Sequence, residues 1–215
     1  MISKFQYITQ EVDGKSHAQL AEEACAAGVD WIQLRVKNKS AEEWKRIADE
    51  VLVVCKKYSA KLIINDNVVL AKETGAYGLH LGKQDMSPIE ARRILGKNFI
   101  IGGTANSFED IKQHVAHGVD YVGVGPFRFT TTKDKLSPIL GLDGYRSILE
   151  KCETENISIP VIAIGGITAN DVAEIIKAGV YGIAVAGALT YADNKQRTVR
   201  EFLDKIEHRN LETAK

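Results

Sequence analysis

The 215-residue sequence predicts an α/β protein, a single (β/α)8 TIM barrel. Three observations predict it. Short apolar runs alternate eight times with longer helical patterns, which argues for a parallel sheet with crossover helices. Four segments echo one another: "GVDWIQL" at Gly28, "GAYGLHL" at Gly75, "GVDYVGVG" at Gly118 and "GVYGIAVAG" at Gly179. In each, a glycine closes a helical pattern just before an apolar run, as a left-handed helix end requires. The echo falls on every second unit, which favours a closed ring of eight strands over an open sheet. Length agrees, since a closed barrel is reachable by one domain of this size.

Strands are expected near 4–8, 31–35, 61–65, 77–81, 99–103, 120–125, 160–165 and 181–186. Helices are expected near 16–27, 40–58, 67–74, 87–96, 107–117, 142–154, 168–178 and 195–208. No linker or composition break divides the chain. It reads as one catalytic domain over 1–215, with about 209–215 as a frayed tail.

Composition bounds the partners. Basic and acidic residues balance at 28 each, so nothing electrostatic points to nucleic acid or an anionic membrane. Cys25, Cys55 and Cys152 are widely spaced, which suggests reduced thiols and a cytoplasmic setting. No apolar run reaches eighteen residues, and the first twenty lack a signal-peptide core. The expected partners are small molecules. The oligomeric state stays open.

In such barrels chemistry sits at the C-terminal strand ends. Strand two reads "WIQLRVKNK". Alternation sends Ile32, Leu34 and Val36 toward the helices and Gln33, Arg35 and Lys37 into the mouth. Two cations aimed at one pocket call for an anion, and a diphosphate would serve both. Strand three ends "KLIINDN", which places Asn65 and Asp66 at the mouth and leaves Asn67 to cap the next helix. Strand four, "YGLHLGKQD", brings Asp85 beside Asp66, because neighbouring strands lie about 5 Å apart. Ser87-Pro88 is the better helix start, so Asp85 need not be a cap. Alone, each aspartate reads as a turn residue. Together, beside the cations, they read as ligands of one hard cation such as Mg²⁺.

Strand five runs into "GGTANS". Gly102 and Gly103 are expected to leave room for something close to the backbone, Thr104 to offer a hydroxyl at the mouth, and Ser107 to cap a helix. After strand six, "GPFRFTTTKDKLSPILG" is a long loop of the sort that carries function. Thr130, Thr131, Thr132 and Lys133 form a hydroxyl-rich basic cluster in it, suited to a phosphorylated substrate. Glycines after strands seven and eight, in "IAIGGIT" and "IAVAGAL", expose backbone N–H groups for a phosphate, with Gly166, Ala186 and Gly187 as candidates. His17, His80, His114, His117 and His208 show no metal-ligand spacing, and His80 reads as a core histidine. Trp31 and Trp44 read as packing.

Q-x-R-x-K on strand two, "IND" on strand three, "HLGKQD" on strand four, T-x-TK after strand six and "AIGGI" on strand seven occur in that order. This set, spread over about residues 4–208, resembles the thiamine-phosphate synthase family. The resemblance implies a transferase of thiamine biosynthesis. It would join 4-amino-2-methyl-5-(diphosphooxymethyl)pyrimidine to 4-methyl-5-(2-phosphooxyethyl)thiazole, or its carboxylated form, and release diphosphate. It implies that Gln33, Arg35, Lys37, Asn65, Thr104 and Lys133 hold the pyrimidine diphosphate. Asp66 and Asp85 would hold Mg²⁺, and Thr130, Thr131, Thr132, Gly166, Ala186 and Gly187 the thiazole phosphate. Of these, Arg35, Lys37 and Lys133 would act catalytically on the leaving group. The chain departs from common family forms at "INDN", at "TAN" and at Gly187, where a serine is frequent. The alternatives are a thiazole tautomerase-like barrel, which needs no diphosphate cluster, and a non-catalytic binder of thiamine precursors.

Overall fold

The computed structural model describes residues 2–130 and 137–207. Eight parallel strands close into a barrel in sequence order, with β1 pairing both β2 and β8. The strands are β1 Phe5–Ile8, β2 Trp31–Leu34, β3 Lys61–Asn65, β4 Gly78–Leu81, β5 Ile100–Ala105, β6 Tyr121–Val124, β7 Val161–Ile164 and β8 Gly182–Val185. The helices are α1 His17–Ala26, α2 Ala41–Lys57, α3 Val68–Thr74, α4 Pro88–Leu95, α5 Phe108–Ala116, α6 Gly141–Thr154, α7 Val172–Lys177, α8 Gly187–Thr190 and α9 Lys195–Glu207. Every expected strand and helix is present, with ends shifted by at most four residues. The addition is α8, a single turn after β8. Its four residues are too few to show a helical period in sequence.

Local chemistry sets the helix starts. Ser16 and Gln19 form a capping box on α1, and Ser40 and Glu43 do the same on α2. Asn67 caps α3, Ser87 with Pro88 opens α4, and Ser107 with Asp110 boxes α5. The three starts read from sequence are therefore where the cap residues placed them. The repeated glycines Gly28, Gly75, Gly118 and Gly179 all have positive φ, from 64° to 108°. An L side chain would be strained there, which fixes the two-unit echo.

The strands alternate between two cores. Ile32, Leu34, Val36, Leu62, Ile64, Leu79 and Ile101 pack outward against the helices. Ile8, Trp31, Ile63, Tyr121, Ile162 and Ala184 fill the barrel interior. Trp31 meets Tyr121 edge-on, with ring centroids 5.0 Å apart. Each such buried side chain stabilises the fold by about 1.5–3 kcal/mol. With the lower barrel packed solid, polar chemistry is confined to the mouth and the layer just beneath it.

Candidate active site

The mouth is built by the chain segments that leave the strand C-termini. On β2, Gln33 points inward and is buried, while Arg35 and Lys37 follow beyond the strand end and are half-buried. Ile32, Leu34 and Val36, the apolar set of "WIQLRVKNK", lie in the core against the helices as expected. Asn65 is the last residue of β3, buried, and pairs in register with His80 on β4. Asp66 follows it, exposed, with φ of 64°. Its backbone N–H donates to the His80 carbonyl at 2.8 Å. This left-handed step turns the chain, so Asn67 becomes the cap and Asp66 stays at the mouth.

The Asp85 carboxylate folds back to accept the Gly82 N–H at 2.6 Å. A Cβ built on Gly82 would lie 2.8 Å from Asp85 Oδ2 and 3.9 Å from Asp66 Oδ1. The two carboxylates thus converge over one bare stretch of backbone. Among the described residues no group of three or more His, Cys, Asp or Glu side chains could hold a metal. Two convergent carboxylates do fit Mg²⁺, which takes few protein ligands and fills its shell from water and substrate oxygens.

Thr104 sits near the end of β5, half-buried, and its Oγ1 lies 3.1 Å from His80 Nε2. Gly102 and Gly103 do leave room close to the backbone. A Cβ on Gly102 would fall 2.2 Å from the Tyr121 ring, and one on Gly103 would fall 2.5 Å from the His114 ring. The space both glycines leave is filled by the protein's own rings, one inside the barrel and one on α5.

Thr130 is described and half-buried, whereas Thr131, Thr132 and Lys133 lie outside the described residues. Just before them, Arg128 forks onto Asp171, with contacts of 3.0 and 2.7 Å, and also donates to the Gly166 carbonyl at 3.3 Å. A Cβ on Gly166 would strike the Arg128 side chain at 2.5 Å. Gly166 therefore admits the incoming loop. Burial raises the Asp171 pKa, but the Thr168 N–H and hydroxyl and the Arg128 guanidinium outweigh it and hold the carboxyl below its ordinary range. Ala186 and Gly187 open α8 beside Tyr191, at the end of β8.

Sequence reading missed four participants. Thr9 follows β1, buried, and its Oγ1 accepts the Arg35 N–H at 3.2 Å. His17 joins Thr9 Oγ1 at 2.8 Å and Glu11 at 3.2 Å. Arg128 and Asp171 lock two mouth loops together. Only the "R" inside "GPFRFTTTK" could have signalled any of this, because the other three sit in ordinary cap and turn positions.

A closed parallel barrel whose polar side chains and glycine turns gather at the strand C-termini belongs to the class of single-barrel (β/α)8 enzymes. Comparison with known proteins narrows the class. The family model described as thiamine monophosphate synthase matches residues 5–189. A thiamine-phosphate synthase of Flavobacterium johnsoniae is 48% identical over 206 residues, 96% of this chain and 97% of that one. One of Phocaeicola vulgatus is 50% identical, covering 94% and 97%. The solved thiamine phosphate pyrophosphorylase of Pyrococcus furiosus superposes with a TM-score of 0.83 at 32% identity, covering 95% of this chain and 96% of that one. The chain belongs to the thiamine-phosphate synthase family.

Proposed function

We propose that this barrel condenses the pyrimidine diphosphate with the thiazole phosphate to give thiamine phosphate and diphosphate. The observation that carries the reading is the adjacency on β2, β3 and β4 of two cations, Arg35 and Lys37, and two convergent carboxylates, Asp66 and Asp85. That pairing of signs suits a metal-bound diphosphate.

In this reading Arg35, Lys37 and Lys133 bind the diphosphate and stabilise the negative charge that grows on it as the C–O bond breaks. Asp66 and Asp85 would hold Mg²⁺, which when bound supplies further positive charge to the leaving group. The aminopyrimidine is electron-rich enough to carry positive charge at its CH₂, so bond breaking can run ahead of bond making. Gln33, Asn65 and Thr104 orient that ring from β2, β3 and β5. The thiazole nitrogen then attacks the CH₂. It carries no proton, so the attack needs no general base. Thr130, Thr131 and Thr132 with the backbone at Gly166, Ala186 and Gly187 anchor the thiazole phosphate and bring the rings together. Water has to be kept from the cation, which it would otherwise trap.

The test is to mix the protein with both substrates and Mg²⁺ and to measure thiamine phosphate and diphosphate. Both products, lost on chelation, are expected. Folded protein that binds thiazole phosphate but forms neither product would replace this reading with the tautomerase or the binder.

A further inference from the structure

The chain that leaves β6 runs on beside the exit of β7. Phe127 N–H donates to the Ile164 carbonyl at 2.8 Å, and Arg128 N–H donates to the Gly165 carbonyl at 3.0 Å. The Arg128 guanidinium takes the next carbonyl, that of Gly166, at 3.3 Å. One residue thus holds two successive peptide planes of the turn after β7. Its fork on Asp171, at 3.0 and 2.7 Å, anchors the guanidinium that does so. The Asp171 side chain is 13% exposed, so the fork is partly shielded from water. Asp171 is itself fixed, because one of its oxygens accepts the Thr168 N–H at 2.8 Å and the Thr168 hydroxyl at 2.7 Å.

Planarity turns this clamp into a statement about donors. In a trans peptide the N–H points opposite the carbonyl. With the Gly165 and Gly166 carbonyls held toward the β6 side, the Gly166 and Ile167 N–H groups face the other way. The neighbour of β7 on that side is β8, whose exit carries Ala186 and Gly187. Among the described residues neither N–H is given to a backbone carbonyl. Both glycines have positive φ, 98° at Gly165 and 69° at Gly166, so the turn has wide backbone freedom and needs a restraint from outside itself. The Arg128 stem supplies part of that restraint by packing on Gly166, where a Cβ would lie 2.5 Å from Arg128 Cγ.

We infer that Arg128, anchored by Asp171, is a positioning residue that aims the Gly166 N–H at the thiazole phosphate. The inference rests on the functional reading above for the identity of the ligand, but not for the clamp. A pair that merely ties two loops together would add stability and leave phosphate affinity alone.

Arg128→Met keeps the stem and removes the fork, and Asp171→Asn weakens the fork from its other side. Each variant should raise the KM for thiazole phosphate by about tenfold, the scale of one charge-assisted hydrogen bond, with kcat and the KM for the pyrimidine diphosphate within about twofold. Arg128→Lys, which keeps the charge but not the fork, should fall between the wild type and Arg128→Met. The double variant should lose no more than Arg128→Met alone, because the pair acts as one unit. Losses that multiply, or equal losses for both substrates, would overturn the inference. So would a lowered melting temperature with the KM for thiazole phosphate unchanged. The Gly166 amide resonance gives a readout without turnover. Titrating the ¹⁵N-labelled whole protein with thiazole phosphate alone should move it, and Arg128→Met should need about tenfold more ligand for the same movement. A wild-type protein that shows this shift but makes no thiamine phosphate would fail the functional reading and keep the positioning role. No binding, or binding that leaves the Gly166 amide unmoved, would overturn that role.

Discussion

Thr9 Oγ1 accepts a hydrogen bond from the Arg35 backbone N–H at 3.2 Å, which ties the end of β1 to the residue that leaves β2. Its hydroxyl proton has one obvious destination, His17 Nδ1 at 2.8 Å, and His17 Nε2 faces Glu11 Oε1 at 3.2 Å. The donors run one way: Arg35 N–H to Thr9, Thr9 O–H to His17, His17 N–H to the carboxylate. Arg35 thereby gains a fixed backbone although its side chain is long and its strand has ended.

Thr9→Val keeps the shape and removes the hydroxyl. It strands the Arg35 N–H and His17 Nδ1 in a buried place, and a buried unmet polar group costs about 1–3 kcal/mol. Urea denaturation should show a loss of that size. The KM for the pyrimidine diphosphate should rise as Arg35 loosens. A variant of wild-type stability would mean that water replaces the hydroxyl.

Arg35→Ala tests the side chain itself. Its cationic fork is placed where charge grows on the leaving group, so turnover should fall by about 10²–10³-fold, the scale seen for lost transition-state donors. The melting temperature should hardly move, because the side chain lies at the half-buried mouth and not in either core. Near-normal turnover at saturating substrate would remove Arg35 from the catalytic set.

Asp171 gives a pH prediction. Its folded pKa is depressed, so its contribution to stability is complete above the unfolded carboxylate value of about 3.9 and is lost as pH falls through the folded value. Between pH 5 and pH 2 the urea midpoint of the wild-type protein should fall more steeply than that of Asp171→Asn. Equal slopes would mean that the Arg128–Asp171 fork contributes nothing. At neutral pH Arg128→Ala should cost only about 0.5–1 kcal/mol, since Arg128 is half-exposed.

Much of this was legible in the sequence, and the reason is periodicity. Alternation in "WIQLRVKNK" sent Ile32, Leu34 and Val36 to the outer core, because one face of a barrel strand must be apolar to meet its helices. The caps Asn67, Ser87 and Ser107 were legible because their chemistry is local. Gly102 and Gly103 were legible only in part, for the opposite reason. A bare backbone tells the reader that something approaches, but Tyr121 and His114 approach from 19 and 11 residues away, and no local pattern names them. Thr9 and His17 escaped for the same cause: their meaning depends on β1 and β2 being neighbours.

The glycine that the sequence reading passed over is the one with the sharpest consequence. Gly82 lies under both carboxylates, and its N–H holds Asp85 at 2.6 Å. In Gly82→Ala the new methyl would sit 2.8 Å from Asp85 Oδ2, closer than a carbon and an oxygen can rest, so the carboxylate must swing away. Asp66 Oδ1, at 3.9 Å, need not move. The pair would then no longer converge, while the barrel core below is untouched. The Mg²⁺ concentration for half-maximal activity should rise by about tenfold or more, equivalent to about 1.4 kcal/mol of cation binding. The melting temperature without metal should stay close to that of the wild-type protein. Titrating Mg²⁺ at saturating substrates reads the shift directly. An unchanged Mg²⁺ requirement would show that Asp85 serves the turn at Gly82 and leaves the cation to Asp66 and the substrate.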